Sequence, residues 1–206
     1  MKVLLINGSP HEKGCTYTAL SLIAGELKAQ GIETEILHVG GQPVGGCIGC
    51  GGCRSGNGCV FGGVVNEAIE KAKTADAFVF GSPVHYASAA GNMASFMDRL
   101  AYAGGKYLAY KPAAVCCSAR RAGTTSTLDQ LVKYPQFFHM PLVNGSYWAM
   151  VHGSTPEQVL QDAEGCAVMQ ELGRNMGWLL RCIEAGKAAG IDHPQNPPRP
   201  MTSFIR

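Results

Sequence analysis

Apolar and polar positions along this chain fall into short blocks that switch between two periods. Val3-Leu4-Leu5-Ile6 is a continuous apolar run of strand length, the pattern of a strand covered on both faces. It stops at the turn signal Asn7-Gly8-Ser9-Pro10, and a helix is expected from about Thr16 to Gln30. Glu33 to Val39 alternates polar and apolar, as a half-buried edge strand does. Val64, Val65, Ala68, Ile69 and Ala72 recur at helical spacing, up to Thr74. Ala77-Phe78-Val79-Phe80 predicts a third strand. A helix follows from about Ala90 to Ala103, with Met93, Phe96, Met97 and Leu100 as its core face. Ala113 to Ser118 predicts a fourth strand, Thr125 to Tyr134 a helix, and Met140-Pro141-Leu142-Val143 a short fifth strand. The last element is a long helix from about Thr155 to Ala189, with Pro156 and Glu157 in its first turn. Gly173, Gly177 and Gly186 are places where it could bend.

Short apolar strands alternating with helices imply an α/β fold whose parallel sheet is covered on both faces. Five strands fit a flavodoxin-like doubly wound five-stranded parallel sheet of order 2-1-3-4-5. Its ligands bind beyond the carboxyl ends of the strands at the switch point. That topology brings together three loops, Ser9–Thr18, Ser82–Ala90 and Ser118–Thr125. The expected organisation is one domain over 1–190, with a Cys-rich loop at 40–63 and a Pro-rich tail at 191–206.

Composition narrows the function classes. The chain has 206 residues, 46% of them apolar and 16% charged, with a net charge of +2. This describes a single well-buried domain without the basic block that nucleic acid requires. The apolar runs are strand-sized, so no membrane span is expected, and residues 1–7 read as a strand rather than a signal peptide. Nine Cys without a secretion signal favour a reducing, cytoplasmic setting, where thiols serve metals or redox chemistry.

The segment Asn7 to Thr18 carries the first candidate chemistry. Strand, polar loop and helix aim free backbone N–H groups and a helix N-terminus at an anion. Ser9, Thr16 and Thr18 add uncharged hydroxyls, which suit a phosphate. Neither a GxGxxG nor a Gly-Lys-Ser/Thr loop is present, so the segment reads as a monophosphate cradle, although any βα turn shares part of this geometry.

With its three loops in place, the chain resembles the NADPH-dependent FMN reductase family of flavodoxin-like proteins. The resemblance rests on Asn-Gly-Ser-Pro followed by Thr16, on Gly81-Ser82-Pro83-Val84-His85-Tyr86 with Met97-Asp98-Arg99, and on Ser118-Ala119-Arg120-Arg121-Ala122-Gly123-Thr124-Thr125. It implies that Ser9, His11, Cys15, Thr16 and Tyr17 surround the FMN phosphate. It further implies that Pro83, Val84, His85 and Tyr86 line the flavin ring, and that Ser118, Arg120, Arg121 and Gly123 approach its pyrimidine edge. The chain departs from many relatives in having His11 where Arg is common and Cys15 where a small polar residue is common. A positive charge at the pyrimidine edge, from Arg120 or Arg121, favours the reduced flavin. The resemblance also implies NAD(P)H as a transient electron donor and a small-molecule electron acceptor such as a quinone, free flavin, nitro or azo compound. It further implies a homodimer or homotetramer, with Gln136–His139 and Ser146–His152 as segments that either cover a partner's flavin or pack in their own core. No catalytic acid–base residue is expected, because the flavin carries the chemistry. Asp98 and Arg99 are expected as a structural ion pair or a helix-end contact.

The second signal is Cys47-x2-Cys50-x2-Cys53-x5-Cys59 in a Gly-rich loop. One segment can present four thiolates to a cubane in this way. Free thiols, a cycling disulfide and a zinc site remain alternatives. The spacing resembles the iron–sulfur flavoprotein subgroup of the family, in which a [4Fe-4S] cluster exchanges electrons with FMN. That subgroup implies an electron carrier working with a ferredoxin-like protein. Cys116 and Cys117 are expected in a buried strand, and Cys166 and Cys182 on the long helix.

Overall fold

The computed structural model describes residues 1–198, 200–202 and 204. Its sheet is built from β1 (Lys2–Asn7), β2 (Glu33–His38), β3 (Ala77–His85), a short β4 (Ser88–Ala89), β5 (Ala113–Ala119) and β6 (Met150–His152). The parallel strands run in the order β2-β1-β3-β5-β6, while β4 pairs antiparallel with the end of β3. Without β4, that is the expected order 2-1-3-4-5. The helices are α1 (Cys15–Ala29), α2 (Val64–Thr74), α3 (Gly91–Gly104), α4 (Thr124–Phe137), α5 (Pro156–Val159) and α6 (Ala163–Ala188).

Alternation within the strands divides the core between two faces. Leu4, Ile6, Phe78 and Phe80 pack against α2, α3 and Leu131 of α4. Val3, Leu5, Val79, Ala114 and Cys116 pack against α1 and α6. Met93, Phe96, Met97 and Leu100 are buried as the periodicity predicts, and so are Cys116 and Cys117.

The fifth parallel strand comes from a different segment than expected. Met150–His152 pairs with Cys117–Ala119. Leu142 makes only an isolated bridge to Ala113, and Val143 N–H donates to the Ala113 carbonyl at 2.9 Å. Pro141 cannot donate to a ladder, so the segment 140–143 packs beside the start of β5 without becoming a strand. The long helix is broken at Leu160–Asp162 rather than at a glycine. Asp162 Oδ1 accepts from Gly165 N–H at 2.9 Å and starts α6 anew. Gly173 lies inside α6, where an added Cβ would press against the backbone of α1.

Of the tail expected over 191–206, Arg199, Ser203, Ile205 and Arg206 lie outside the described residues. Its earlier part packs on its own chain: the His193 ring stacks on Tyr110 at 4.4 Å, and Asn196 Nδ2 donates to the Tyr110 hydroxyl at 2.7 Å. Among the described residues no helix is long and apolar enough to cross a membrane.

Candidate functional site

The loops after β1, β3 and β5 meet at the carboxyl edge of the sheet, and each is bonded to the others. Gly8 N–H donates to the Gly81 carbonyl at 2.9 Å, joining the first loop to the second strand end. The hydroxyls of Thr16 and Ser118, both buried, share a hydrogen bond of 2.8 Å, joining the first helix to the end of β5. Ser126 Oγ donates to the Ala87 carbonyl at 2.7 Å, joining the third loop to the second.

The first loop is held from within. Asn7 Oδ1 accepts from Ser9 N–H at 3.1 Å, and Asn7 Nδ2 donates to the Glu12 carbonyl at 2.9 Å. His38 Nε2 lies 2.7 Å from the Ser9 carbonyl, so this nitrogen carries the proton and donates. Ser9 Oγ accepts from His11 N–H at 3.1 Å, which leaves the Ser9 hydroxyl hydrogen to donate elsewhere. Gly14 caps α1 without a side-chain bond, and no acidic residue stands in the first turn. The first-turn N–H groups and the helix dipole are therefore open to an anion, with no carboxylate in the turn itself. Gly123 caps α4 in the same way, at φ 90°, again without an acid in the first turn.

The expected site residues divide by exposure. Ser9, Thr16 and Ser118 are buried; Cys15, Tyr17, Pro83, Val84 and Gly123 are half-buried; His11, His85, Tyr86, Arg120 and Arg121 are exposed. Burial pushes the Cys15 thiol up, so it stays neutral and donates to the Gly153 carbonyl at 3.5 Å. A neutral thiol is compatible with a neighbouring phosphate. Tyr86 and Ala87 have φ of 50° and 59°, and they join His85 to Ser88 in a two-residue hairpin turn. Non-glycine residues are strained there. The turn holds Tyr86 fully out in solvent. This hairpin was not foreseen: the sequence lacks the Asn-Gly or Asp-Gly that signals such a turn.

The donor set of the three loops fits FMN. Uncapped N–H groups and hydroxyls suit its phosphate, an apolar and aromatic strand end suits its ring, and the third loop carries two exposed guanidiniums, Arg120 and Arg121.

The cysteine loop lies over α3. Cys47, Cys50, Cys53 and Cys59 line one cavity of about 340 Å³, together with Phe61, Arg99 and Tyr102. Cys47 and Cys50 are exposed, Cys53 and Cys59 half-buried. Among the described residues no three His, Cys, Asp or Glu side chains converge on one ion-sized point. The cavity nevertheless fits a larger group by its donors: four thiols and two cations, the loop's own exposed Arg54 and the buried Arg99, with no imidazole or carboxylate in its wall.

Two side chains of α3 hold this loop. Asn92 Nδ2 donates to the carbonyls of Gly40 and Gln42 at 3.2 and 3.0 Å, and its Oδ1 accepts from Val44 N–H at 3.2 Å. Arg99 is 6% exposed and donates to Cys59 Sγ at 3.2 Å, to the Gly62 carbonyl at 3.0 Å and to the Gly45 carbonyl at 3.4 Å. The expected Asp98–Arg99 pair does not form, since Asp98 accepts from the Tyr134 hydroxyl at 2.6 Å instead. Sequence reasoning missed the role of Arg99. The signal was its position three residues after Phe96, within the buried stripe of α3. Of the aromatic segments, Phe138 packs on the core, while Tyr147 and Trp148 are exposed.

Comparison with known proteins agrees with this geometry. The family model for NADPH-dependent FMN reductase matches residues 1–155. An iron-sulfur flavoprotein of Methanocaldococcus jannaschii is 27% identical over 192 residues, covering 89% of this chain and 100% of that protein. Among solved structures, flavone reductase superposes with a TM-score of 0.65 at 17% identity, over 89% of this chain and 64% of the longer one. A flavodoxin from the Archaea superposes with a TM-score of 0.58 at 14% identity, over 88% of this chain and 99% of that one. The structural likenesses speak to the fold, which is flavodoxin-like.

Proposed function

Because the chain belongs to the NADPH-dependent FMN reductase family and is a flavin-dependent oxidoreductase, we propose that NAD(P)H is its electron donor and a small molecule its acceptor. The acceptor class is a quinone, free flavin, nitro or azo compound. The observation that carries this reading is the bonding of all three loops into one cradle beneath an uncapped helix N-terminus. In it Ser9, His11, Cys15, Thr16 and Tyr17 hold the phosphate. Pro83, Val84, His85 and Tyr86 wall the ring, and Ser118, Arg120, Arg121 and Gly123 meet the pyrimidine edge. When bound, FMN supplies the electron-transfer chemistry, so the protein's part is to bind, orient and bias it. The guanidiniums of Arg120 and Arg121 favour added negative charge there. Residues 1–190 form the FMN-binding unit, 191–206 its tail, and the protein works in the cytoplasm as a homodimer or homotetramer. The exposed Tyr147 and Trp148 are the surface such a partner would cover.

A second reading is favoured by the cavity lined by four thiols and Arg99, and by the iron-sulfur flavoprotein relative. Here Cys47, Cys50, Cys53 and Cys59 hold a [4Fe-4S] cluster, and the protein relays electrons between FMN and a ferredoxin-like partner.

Protein purified without oxygen separates the two. Bleaching of the flavin absorbance within seconds of adding NADPH or NADH supports the reductase. Slow bleaching with either, and fast bleaching with reduced ferredoxin, supports the carrier. Absence of FMN after reconstitution overturns both.

A further inference from the structure

Arg99 is a buried cation without a carboxylate partner among the described residues. A guanidinium cannot shed its proton, and burying one without an anion is costly. An apolar residue would complete the α3 stripe between Phe96 and Ala103 at no such cost. What Arg99 meets instead is the cysteine loop. Its Nη groups take the carbonyls of Gly45 and Gly62, which stand just before Cys47 and just after Cys59, so one planar fork closes both ends of the loop. Its Nε–H points at Cys59 Sγ at 3.2 Å, and its head lies 5.6 Å from the centre of the Phe61 ring. Cys59 is itself fixed, because Asn66 Oδ1 accepts from its N–H at 2.8 Å and Asn66 Nδ2 donates to its carbonyl at 3.0 Å.

We propose that Arg99 is the positioning residue and counter-charge of the Cys47–Cys59 loop, closing its ends and biasing a four-thiolate iron–sulfur cluster toward the reduced form. This rests on the carrier reading. Reduction adds one electron and no proton, which makes the four-thiolate assembly one charge more negative. A guanidinium donating to one ligand sulfur stabilises the more negative form. Without the cluster, the same group meets one sulfur and two carbonyls and no group of full negative charge.

The test uses anaerobically reconstituted full-length protein, with dithionite as reductant and electron paramagnetic resonance as readout. Arg99→Met is expected to shift the one-electron reduction equilibrium about tenfold toward the oxidised cluster, equivalent to about 59 mV. Arg99→Lys, which keeps the charge, is expected to recover most of that shift. Iron loss in Arg99→Met with full loading in Arg99→Lys also supports the proposal. An Arg99→Met equilibrium within about twofold of wild type overturns it. Should neither variant hold iron, pulsed resonance on ¹⁵N-arginine-labelled wild type decides: coupling of an arginine nitrogen to the reduced cluster supports the proposal, and its absence overturns it. Wild type that takes up no iron overturns the carrier reading and this inference together. A wild-type cluster that ignores Arg99 overturns the inference alone.

Discussion

In the flavin cradle, Ser9, Thr16 and Ser118 are buried, and the three loops are joined through backbone groups and short hydroxyl contacts. In the cysteine loop, Cys47 and Cys50 are exposed, and the chain is tied to the body mainly by Asn92, Arg99 and Asn66. The two regions share one support, since α3 begins where the second cradle loop ends and carries both Asn92 and Arg99. The contrast separates two ways of preparing a site. The cradle is shaped by backbone and is vulnerable where a backbone contact is forced. The loop is shaped by a few side chains.

The largest test of the contrast is thiol reactivity in metal-free, folded protein. Burial pushes the Cys117 thiol from 9.0 up to about 12 and that of Cys116 higher still. At pH 8 Cys117 therefore holds about a thousandfold less thiolate than an ordinary thiol. Mass spectrometry after brief alkylation should find Cys47 and Cys50 modified and Cys116 and Cys117 untouched. Equal labelling would mean that β5 is not the buried strand described here.

Next comes Gly40, which leads from β2 toward the cysteine loop. A Cβ there would be driven into the Ser9 carbonyl, so Gly40→Ala must displace the phosphate loop. FMN affinity is expected to fall about tenfold or more, the order of one lost hydrogen bond to a charged group. Fluorescence titration of the apoprotein measures it, and unchanged affinity would show that Ser9 does not depend on this contact.

A smaller effect is expected at Thr16. Thr16→Val leaves the buried Ser118 hydroxyl without its partner and should cost about 1–3 kcal/mol in urea unfolding. Adding Ser118→Ala should cost less than the sum of the two single changes. Simple additivity would mean that the two hydroxyls do not depend on each other.

The smallest lies far from both regions. Lys71 and Lys2 hold the Glu35 carboxyl below its ordinary value of 4.5. That contribution is complete above pH 4.5 and is lost as pH falls through the lowered value. The three side chains are partly exposed, so Glu35→Gln should lower Tm by only about a degree at pH 7, and the difference should vanish in strong acid. A large change confined to neutral pH and insensitive to salt would contradict this.

Much of the fold was legible because β1, β3 and β5 are apolar runs that stop at polar turns, a pattern local in sequence. The three cradle loops followed from topology. The fifth strand was not legible, because Met140-Pro141-Leu142-Val143 and Ala149-Met150-Val151-His152 are both apolar enough, and only pairing with Cys117–Ala119 selects the second. The break at Asp162 was hidden because Thr155-Pro156 reads as a helix start and no Pro or Gly follows before Gly165. The hairpin at Tyr86-Ala87 goes against residue preference, which is why its turn chemistry gave no sign. Arg99 was invisible for another reason: its partners Gly45, Cys59 and Gly62 are remote in sequence, and only the packing of the loop on α3 brings them together.

If the cradle is shaped by its own loops, FMN binding is independent of the cysteine loop. That independence is tested most directly by FMN and iron per chain in wild type and Cys53→Ser after anaerobic reconstitution. One FMN is expected in both proteins, and on the carrier reading iron is near four per chain in wild type and absent from the variant, since a cubane takes about four irons on four thiolates. Loss of FMN together with the iron in a variant that keeps its fold would contradict it.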